Sequence, residues 1–503
     1  MAVIDTPRTR PPLWDHQANA IDRALELPAI LLGIPMGGGK SRVAIEIADR
    51  TDATRVLVLC PKSVTGVWPR ELRKHSGRPW RTWSGAVINQ TTGRERKTAT
   101  VAQRATALLQ ADTDAIRLRQ PFLSAVNFEA GRSKDMAALL LGAAWDLVIV
   151  DESHRIKAPG GRDSKLIARI CARTRNRGGR CLLLTGTPMP HSPLDVWGQY
   201  RAINPDILGT SYTAFRAKYG APKIKFLYND GTPAYLTTPT GQVIYDGVRK
   251  DREAELIERI APYMFTVDAD ELDAMLGLEE PRDVHRETSL EPTAMRAYEA
   301  LERDLIARVG DEGAVVTAAN AMVLVTRLAQ ATSGYAVNAD TGEHMPLGDM
   351  PEKARLLADL LADLPADEPL VVFARFHADL DWIEKAAVAA GRTYGELSGR
   401  RRDGLTTDST MADVGVLGAQ LKSGGVGIDL TRARYAAYYS LDFSLADHKQ
   451  SRKRLHRPGQ DGRVTYVYLT CKDTIDEAIV GALRRREEVV GAVLARLSPS
   501  KGS

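Results

Sequence analysis

The sequence predicts an α/β protein of two lobes, each a parallel sheet wrapped by helices, with helical insertions between them. Three observations carry this. Short, β-branched apolar runs alternate with helical stretches at both ends of the chain. Two runs in the first half end in a glycine loop and an acidic pair, at the strand ends where parallel sheets hold ligands. Between Pro188 and Leu370 lie roughly 180 residues, far more than a connector needs.

In lobe one the first strand is expected near Leu31, in the run Ala29–Gly33. It leads into Ile34-Pro-Met-Gly-Gly-Gly-Lys-Ser41 and a helical stretch, Arg42–Ala48, which is the strand, loop and helix order of a P-loop. Gly37, Gly38 and Gly39 let backbone N–H groups close around phosphate oxygens at a helix N-terminus. Lys40 would reach the β- and γ-phosphates, and the Ser41 hydroxyl would ligate Mg²⁺. Ile34 stands where the strict pattern has glycine. Further strands are expected at 55–60, 121–126, 145–150 and 181–184. The strand Trp145–Val150 runs straight into Asp151-Glu152, so Asp151 would hold hydrated Mg²⁺ and Glu152 would polarise the attacking water as general base.

The middle reads as helices at 207–219, 251–263, 292–309 and 314–332, with a Gly/Pro/Thr-rich hairpin or loop at 222–247. Pro281 is the expected lobe boundary, because a strand (283–288) and a helix follow it. Lobe two then carries strands at 370–374, 393–397, 414–418, 435–441 and 464–469. Its last feature is Gln450-Ser-Arg-Lys-Arg-Leu-His-Arg-Pro-Gly-Gln460. On a helix Gln450, Arg454 and Arg457 fall at i, i+4 and i+7 on one face, until Pro458 and Gly459 stop it. Two arginines and a glutamine aimed together suit a transferring phosphoryl group, with the arginines as fingers. A solvated basic helix has the same composition; the P-loop upstream decides for fingers. The expected domains are lobe one over 1–205, a helical protrusion over 206–280, a helical insertion over 281–350, lobe two over 351–497 and a flexible tail over 498–503. No room is expected for an accessory module after Thr474–Ala478.

Of the 503 residues 44% are hydrophobic and 26% charged, as in a soluble globular chain of two to four domains. A net charge of +5 is compatible with a nucleic-acid partner without establishing one. Cys60, Cys171, Cys181 and Cys471 lack metal-type spacing, so no structural metal and a reducing cytoplasm are expected. No apolar run is long enough for a membrane span. The Ala/Arg/Gly-rich composition hints at a GC-rich bacterial or phage source, and so at a bacterial cytoplasm.

With these segments in hand the chain resembles superfamily two helicases, specifically the Swi/Snf-like DNA translocases, over nearly all its length. Leu13-Trp-Asp-His-Gln17 resembles the adenine-sensing Q motif, with Gln17 as reader. Met36–Ser41 resembles motif I, and Leu59–Ser63 with Trp68 resembles motif Ia. Asp151–Lys157 resembles motif II, with Ser153 where the family has Ala or Gly. Leu182–Pro188 resembles motif III, and its run-on through Leu194, Trp197 and Asn204-Pro-Asp206 is characteristic of this branch. Leu370–Phe376 resembles motif IV, Ser423–Thr431 motif V and Gln450–Gln460 motif VI.

The resemblance implies two RecA-like lobes that bind ATP and Mg²⁺ between them. Gln17, Met36, Gly37, Gly38, Gly39, Lys40, Ser41, Gly427 and Asp429 would hold nucleotide, and Ser41 and Asp151 the metal. Lys40, Asp151, Glu152, Gln450, Arg454 and Arg457 would carry catalysis. It also implies nucleic acid gripped at phosphates by Lys62, Ser63, Thr185, Thr187 and Ser423, most simply double-stranded DNA moved without strand separation by a monomer. A strand-separating DNA or RNA helicase is the second reading, and a non-hydrolysing scaffold the third. Arg400–Arg402 and Arg484–Arg486 read as solvated faces before phosphate contacts, and Trp68, Trp145 and Trp197 as core.

Overall fold

A computed structural model describes residues 12–88, 98–190, 192–222, 224–227, 233–235, 243, 245–311, 318–337, 343–407, 409–422 and 428–497. The first lobe is built on β1 (Ala29–Gly33), β2 (Arg55–Cys60), β3 (Arg81–Trp83), β4 (Phe122–Asn127), β5 (Leu147–Asp151) and β6 (Arg180–Leu184). Two small antiparallel pairs follow. β7 (Gly220–Pro222) pairs with β10 (Tyr245–Val248), and β8 (Ile224–Leu227) pairs with β9 (Pro233–Tyr235) between them. The chain then returns to the first sheet as β11 (Met264–Thr266), which lies parallel to β1. The seven-stranded order is β11-β1-β6-β5-β2-β4-β3, parallel at every pairing. β1 and β5 are buried at every position, which is why they read as continuous apolar runs: helices cover both faces of the sheet.

Lobe two begins at β12 (Arg282–Thr288). A minor pair, β13 (Tyr335–Val337) with β14 (His344–Pro346), precedes β15 (Leu370–Ala374), β16 (Tyr394–Leu397), β17 (Val416–Gln420), β18 (Tyr435–Tyr438) and β19 (Thr465–Cys471). The six-stranded order is β12-β19-β18-β15-β17-β16, again parallel throughout. Segment 206–280 thus supplies an edge strand to the first sheet, and 281–350 supplies one to the second. The helical stretch expected over 207–219 is two helices, Pro205–Leu208 and Tyr212–Tyr219, separated at Gly209 with φ +83°. No helix among the described residues is long and apolar enough to cross a membrane.

The sheet orders set the functional geometry. P-loop, motif III and motif II segments leave the carboxyl ends of β1, β6 and β5, which are consecutive neighbours. Strand spacing puts the outer two about 10 Å apart. In lobe two the helix Leu445–Leu455 lies between β18 and β19.

Candidate active site

The P-loop turns through Gly37 (φ +89°) and Gly39 (φ +81°), a left-handed backbone that side chains resist. A side chain at Gly39 would also collide with the Gln17 amide. Gln17 is buried and both its amide ends are engaged: Nε2 donates to Gly38 O at 3.1 Å, and Oε1 accepts from Trp14 N–H at 3.1 Å. His16 Nε2 meets the same Gly38 carbonyl at 2.8 Å. The residue expected to read adenine braces the loop here. Lys40 and Ser41 open the helix Lys40–Arg50, and the Lys40 ammonium donates to the carbonyls of Ile34 (3.0 Å) and Pro35 (3.4 Å).

Asp151 closes β5 and is 5% exposed; Glu152 follows in a left-handed conformation, φ +55°. Burial raises the proton affinity of both carboxyls, Glu152's charge raises Asp151's further, and the nearby Lys40 ammonium lowers both. That opposition places Lys40, Asp151 and Glu152 within one electrostatic site. The buried Trp68 indole donates to Asp151 Oδ2 at 3.3 Å, so Trp68 is core that also touches the acid. A polar chain ties motif II to motif III: Glu152 Oε2 lies 3.3 Å from His154 Nδ1, which lies 3.1 Å from Thr185 Oγ1, which accepts from Thr187 N–H at 3.0 Å. Burial and the surrounding cations push His154 down to about 3. Ser153 donates to Gln199 Oε1 at 2.8 Å, giving the hydroxyl at that position a partner in the core.

In lobe two the helix Leu445–Leu455 starts at the Ser444 cap and stops with His456, before Pro458 and Gly459 (φ +98°). It ends sooner than the i, i+4, i+7 spacing assumed, so Arg457 is off the helical face of Gln450. Arg454, one turn on from Gln450, is 2% exposed, and burial pulls its guanidinium down to about 10. Arg457 donates to Ile428 O at 3.3 Å. Arg454 O accepts from Leu430 N–H at 3.0 Å, and Gln460 Nε2 donates to Ala433 O at 3.0 Å, so motif V and motif VI segments are laced together. Asp429 accepts from Thr431 N–H (2.9 Å) and Oγ1 (2.7 Å), a local turn. Ser423 and Gly427 lie outside the described residues.

A cavity of about 390 Å³ separates the lobes. Met36, Glu152 and Thr187 line it from lobe one, and Gln450, Lys453 and His456 from lobe two. Gly37 abuts Pro458, since a side chain there would begin 3.3 Å from Pro458 Cδ. Gln450 thus lines the same cavity as Met36 and Glu152, while Gly37–Ser41, Asp151, Arg454 and Arg457 are not among its lining residues. The donor set fits a metal nucleotide: a glycine loop with no room for side chains, an ammonium, a hydroxyl and two carboxylates.

Of the expected nucleic-acid contacts, Lys62 is exposed at the start of a 3₁₀ turn that also contains Ser63. Thr185 is fully buried with its hydroxyl engaged, and Thr187 lines the cavity. Arg400 pairs with Asp381 (2.6 Å) and Glu396 (2.9 Å), and Arg401 with Glu384 (3.1 Å) and Asp403 (2.8 Å); they form an ion-pair network. Sequence reasoning missed Trp68 as a donor to Asp151, the His154–Thr185 link, and Asp273, which reaches Lys453 across the cleft. A single indole or carboxylate has no pattern of its own; only the Asp268 cap before the helix Ala269–Met275 marked the last.

Residues 27–334 match the model of the SNF2-related domain, and 352–459 that of the helicase conserved C-terminal domain. The chain is similar to Protein CHROMATIN REMODELING 19 of Arabidopsis thaliana, at 23% identity over 92% of this chain and 66% of that one. It is similar to the DNA annealing helicase and endonuclease ZRANB3 of Homo sapiens at 23% over 97% and 41%, and to the putative ATP-dependent helicase/translocase YwqA of Bacillus subtilis at 22% over 68% and 34%. It therefore spans between about a third and two thirds of the length of these relatives. Among solved structures it aligns with the Sulfolobus solfataricus SWI2/SNF2 ATPase core in complex with dsDNA at a TM-score of 0.40 and 18% identity, covering 99% of this chain and 96% of that one.

Proposed function

The chain belongs to the SNF2-related family, and from that premise we propose that it is a nucleic-acid-stimulated ATPase that moves along double-stranded DNA or displaces protein bound to it. The observation that carries the reading is the inter-lobe cavity, which Met36 and Glu152 line from one side and Gln450 from the other. Relatives named for chromatin remodelling and DNA annealing support DNA as the track.

In this reading Lys40 leaves the Ile34 and Pro35 carbonyls for phosphate oxygens when ATP enters, and Gly37–Gly39 N–H groups close around the chain of phosphates. Ser41 and Asp151 would hold Mg²⁺, which when bound offsets negative charge on the β- and γ-oxygens. Glu152 takes the proton of the attacking water as general base. Gln450 orients that water from lobe two. Arg457, next to the Pro458 that abuts Gly37, and Arg454, buried in lobe two, would act as the fingers once the cleft closes. Cleft closure and hydrolysis are then one coupled event. Lys62, Ser63, Thr187 and Ser423 would hold DNA at phosphates, and Thr185, enclosed, would relay between motif III and His154.

Displacing a third strand from a triplex, next to a strand-separation assay, tests the reading. ATP-dependent release of the third strand with the blunt duplex left intact is expected. Robust unwinding of the blunt duplex overturns it in favour of a strand-separating helicase.

A further inference from the structure

We infer that Asp273 is a positioning residue of the cleft: it clasps the lobe-two helix Leu445–Leu455 through Lys453 and His456 and holds the cleft against entering nucleotide. The inference deepens the ATPase reading and rests on it.

The helix Ala269–Met275 is the last element before the chain crosses at Pro281 into β12. Asp268 caps it, accepting from Asp270 and Glu271 N–H at 3.0 Å each. From this short helix one side chain reaches each lobe. Leu272, 1% exposed, lies on the P-loop: a side chain at Gly38 would begin 3.0 Å from its Cδ2. Asp273 Oδ1 accepts from Lys453 Nζ at 2.7 Å, and Oδ2 lies 3.3 Å from His456 Nδ1. The other nitrogen of His456 is 2.9 Å from Glu279 O, and the Glu279 carboxylate meets Arg463 at 3.4 Å. The crossing segment is therefore fastened at Asp273 to the end of this helix and at Glu279 to the segment that follows it.

Lys453 and Asp273 side chains are only 18% and 14% exposed, so solvent and salt screen the pair less than a surface one. Asp268 and Asp270 also line the cavity from this side, while Lys449 and Arg452 opposite them pair within lobe two, with Glu487 (3.1 Å) and Asp283 (2.6 Å), so Asp273–Lys453 is the ion pair that spans the cavity wall among the described residues. With the clasp made, Leu272 packs at Gly38 and Pro458 at Gly37, and the Lys40 ammonium is turned onto the loop's own carbonyls. A triphosphate has to displace those contacts to enter the loop. Apparent affinity is then the intrinsic affinity reduced by the fraction of unclasped molecules. Loosening the pair raises that fraction.

The test is equilibrium binding of a fluorescent, non-hydrolysable ATP analogue with Mg²⁺ to the full chain. Asp273→Asn and Lys453→Met should each bind about three- to tenfold more tightly than the wild type, the range expected of one partly buried ion pair. The double variant should bind no more tightly than either single one, because the two act through one contact. Asp273→Glu, which keeps the charge, should bind as the wild type does. In DNA-stimulated turnover the singles should lower KM more than they change kcat. Unchanged or weaker binding by Asp273→Asn, or additive gains in the double variant, overturns the clasp while leaving the ATPase reading standing. Failure of the wild type to bind the analogue overturns both.

Discussion

Arg454 and Arg457 share a predicted role but occupy different surroundings, so their alanine variants should part company. Arg454 is 2% exposed within lobe two. Truncating a large side chain so enclosed costs about 3 kcal/mol. For a lobe of roughly 200 residues each kcal/mol lowers Tm by about 2–4 °C, so Arg454→Ala should melt about 6–12 °C early. Arg457 is half-buried and donates to Ile428 O at 3.3 Å. Its loss costs about 0.5–1.5 kcal/mol and a few degrees at most. If both are fingers, both variants lose about 10³-fold or more in turnover. Arg454→Lys separates the effects: it keeps charge and most of the volume but lacks the planar fork, so it should stay folded and remain slow. Thermal melts of the four proteins, paired with DNA-stimulated ATP turnover, read all of this. Equal melting of the two alanine variants refutes the burial argument. Near-wild-type turnover in Arg457→Ala refutes the finger.

Gly39→Ala should lose about 2–3 kcal/mol, from left-handed strain of about 1–2 kcal/mol and the displaced Gln17 amide bond, and should bind nucleotide analogue poorly; unchanged melting would contradict it. Trp68→Phe removes the indole N–H from the buried Asp151 carboxylate and should cost about 1.5–3 kcal/mol in urea unfolding at neutral pH. His448 is buried against Tyr468 OH, and burial with Arg452 and Lys449 pushes it down to about 3, below the unfolded value near 6.5. The unfolded chain then binds the extra proton between those limits, so stability falls as pH drops below about 6.5. Between pH 7.5 and 5 the wild type should lose about 2 kcal/mol more than His448→Gln, and parallel losses would refute the assignment.

The parallel strands were legible because burial on both faces leaves unbroken apolar runs such as Leu147–Val150, and the glycine loop because its residues serve the backbone. β3 and β11 were not, since three residues are too few for a period and their pairing comes from distant β4 and β1. The i, i+4, i+7 face assumed a helix reaching Arg457, but Pro458 disfavours helical backbone in the residue before it, and the helix ends at Leu455. Even within the helix, spacing gives which residues share a face and not what that face meets: Gln450 faces the cleft while Arg454 packs into its own lobe. Gln17, read as a base sensor, also holds Gly38, a contact fixed only by tertiary approach. The Asp273–Lys453 pair links positions far apart in sequence and has no local pattern at all.

The most direct measurement is the ATP hydrolysis rate of the full chain without nucleic acid and with saturating single-stranded DNA, double-stranded DNA or RNA, alongside Lys40→Ala. Double-stranded DNA should raise the rate most, the stimulation should weaken as salt rises, and Lys40→Ala should abolish it. A rate indifferent to all three polymers, or raised by RNA alone, contradicts a cleft whose closure is coupled to duplex DNA.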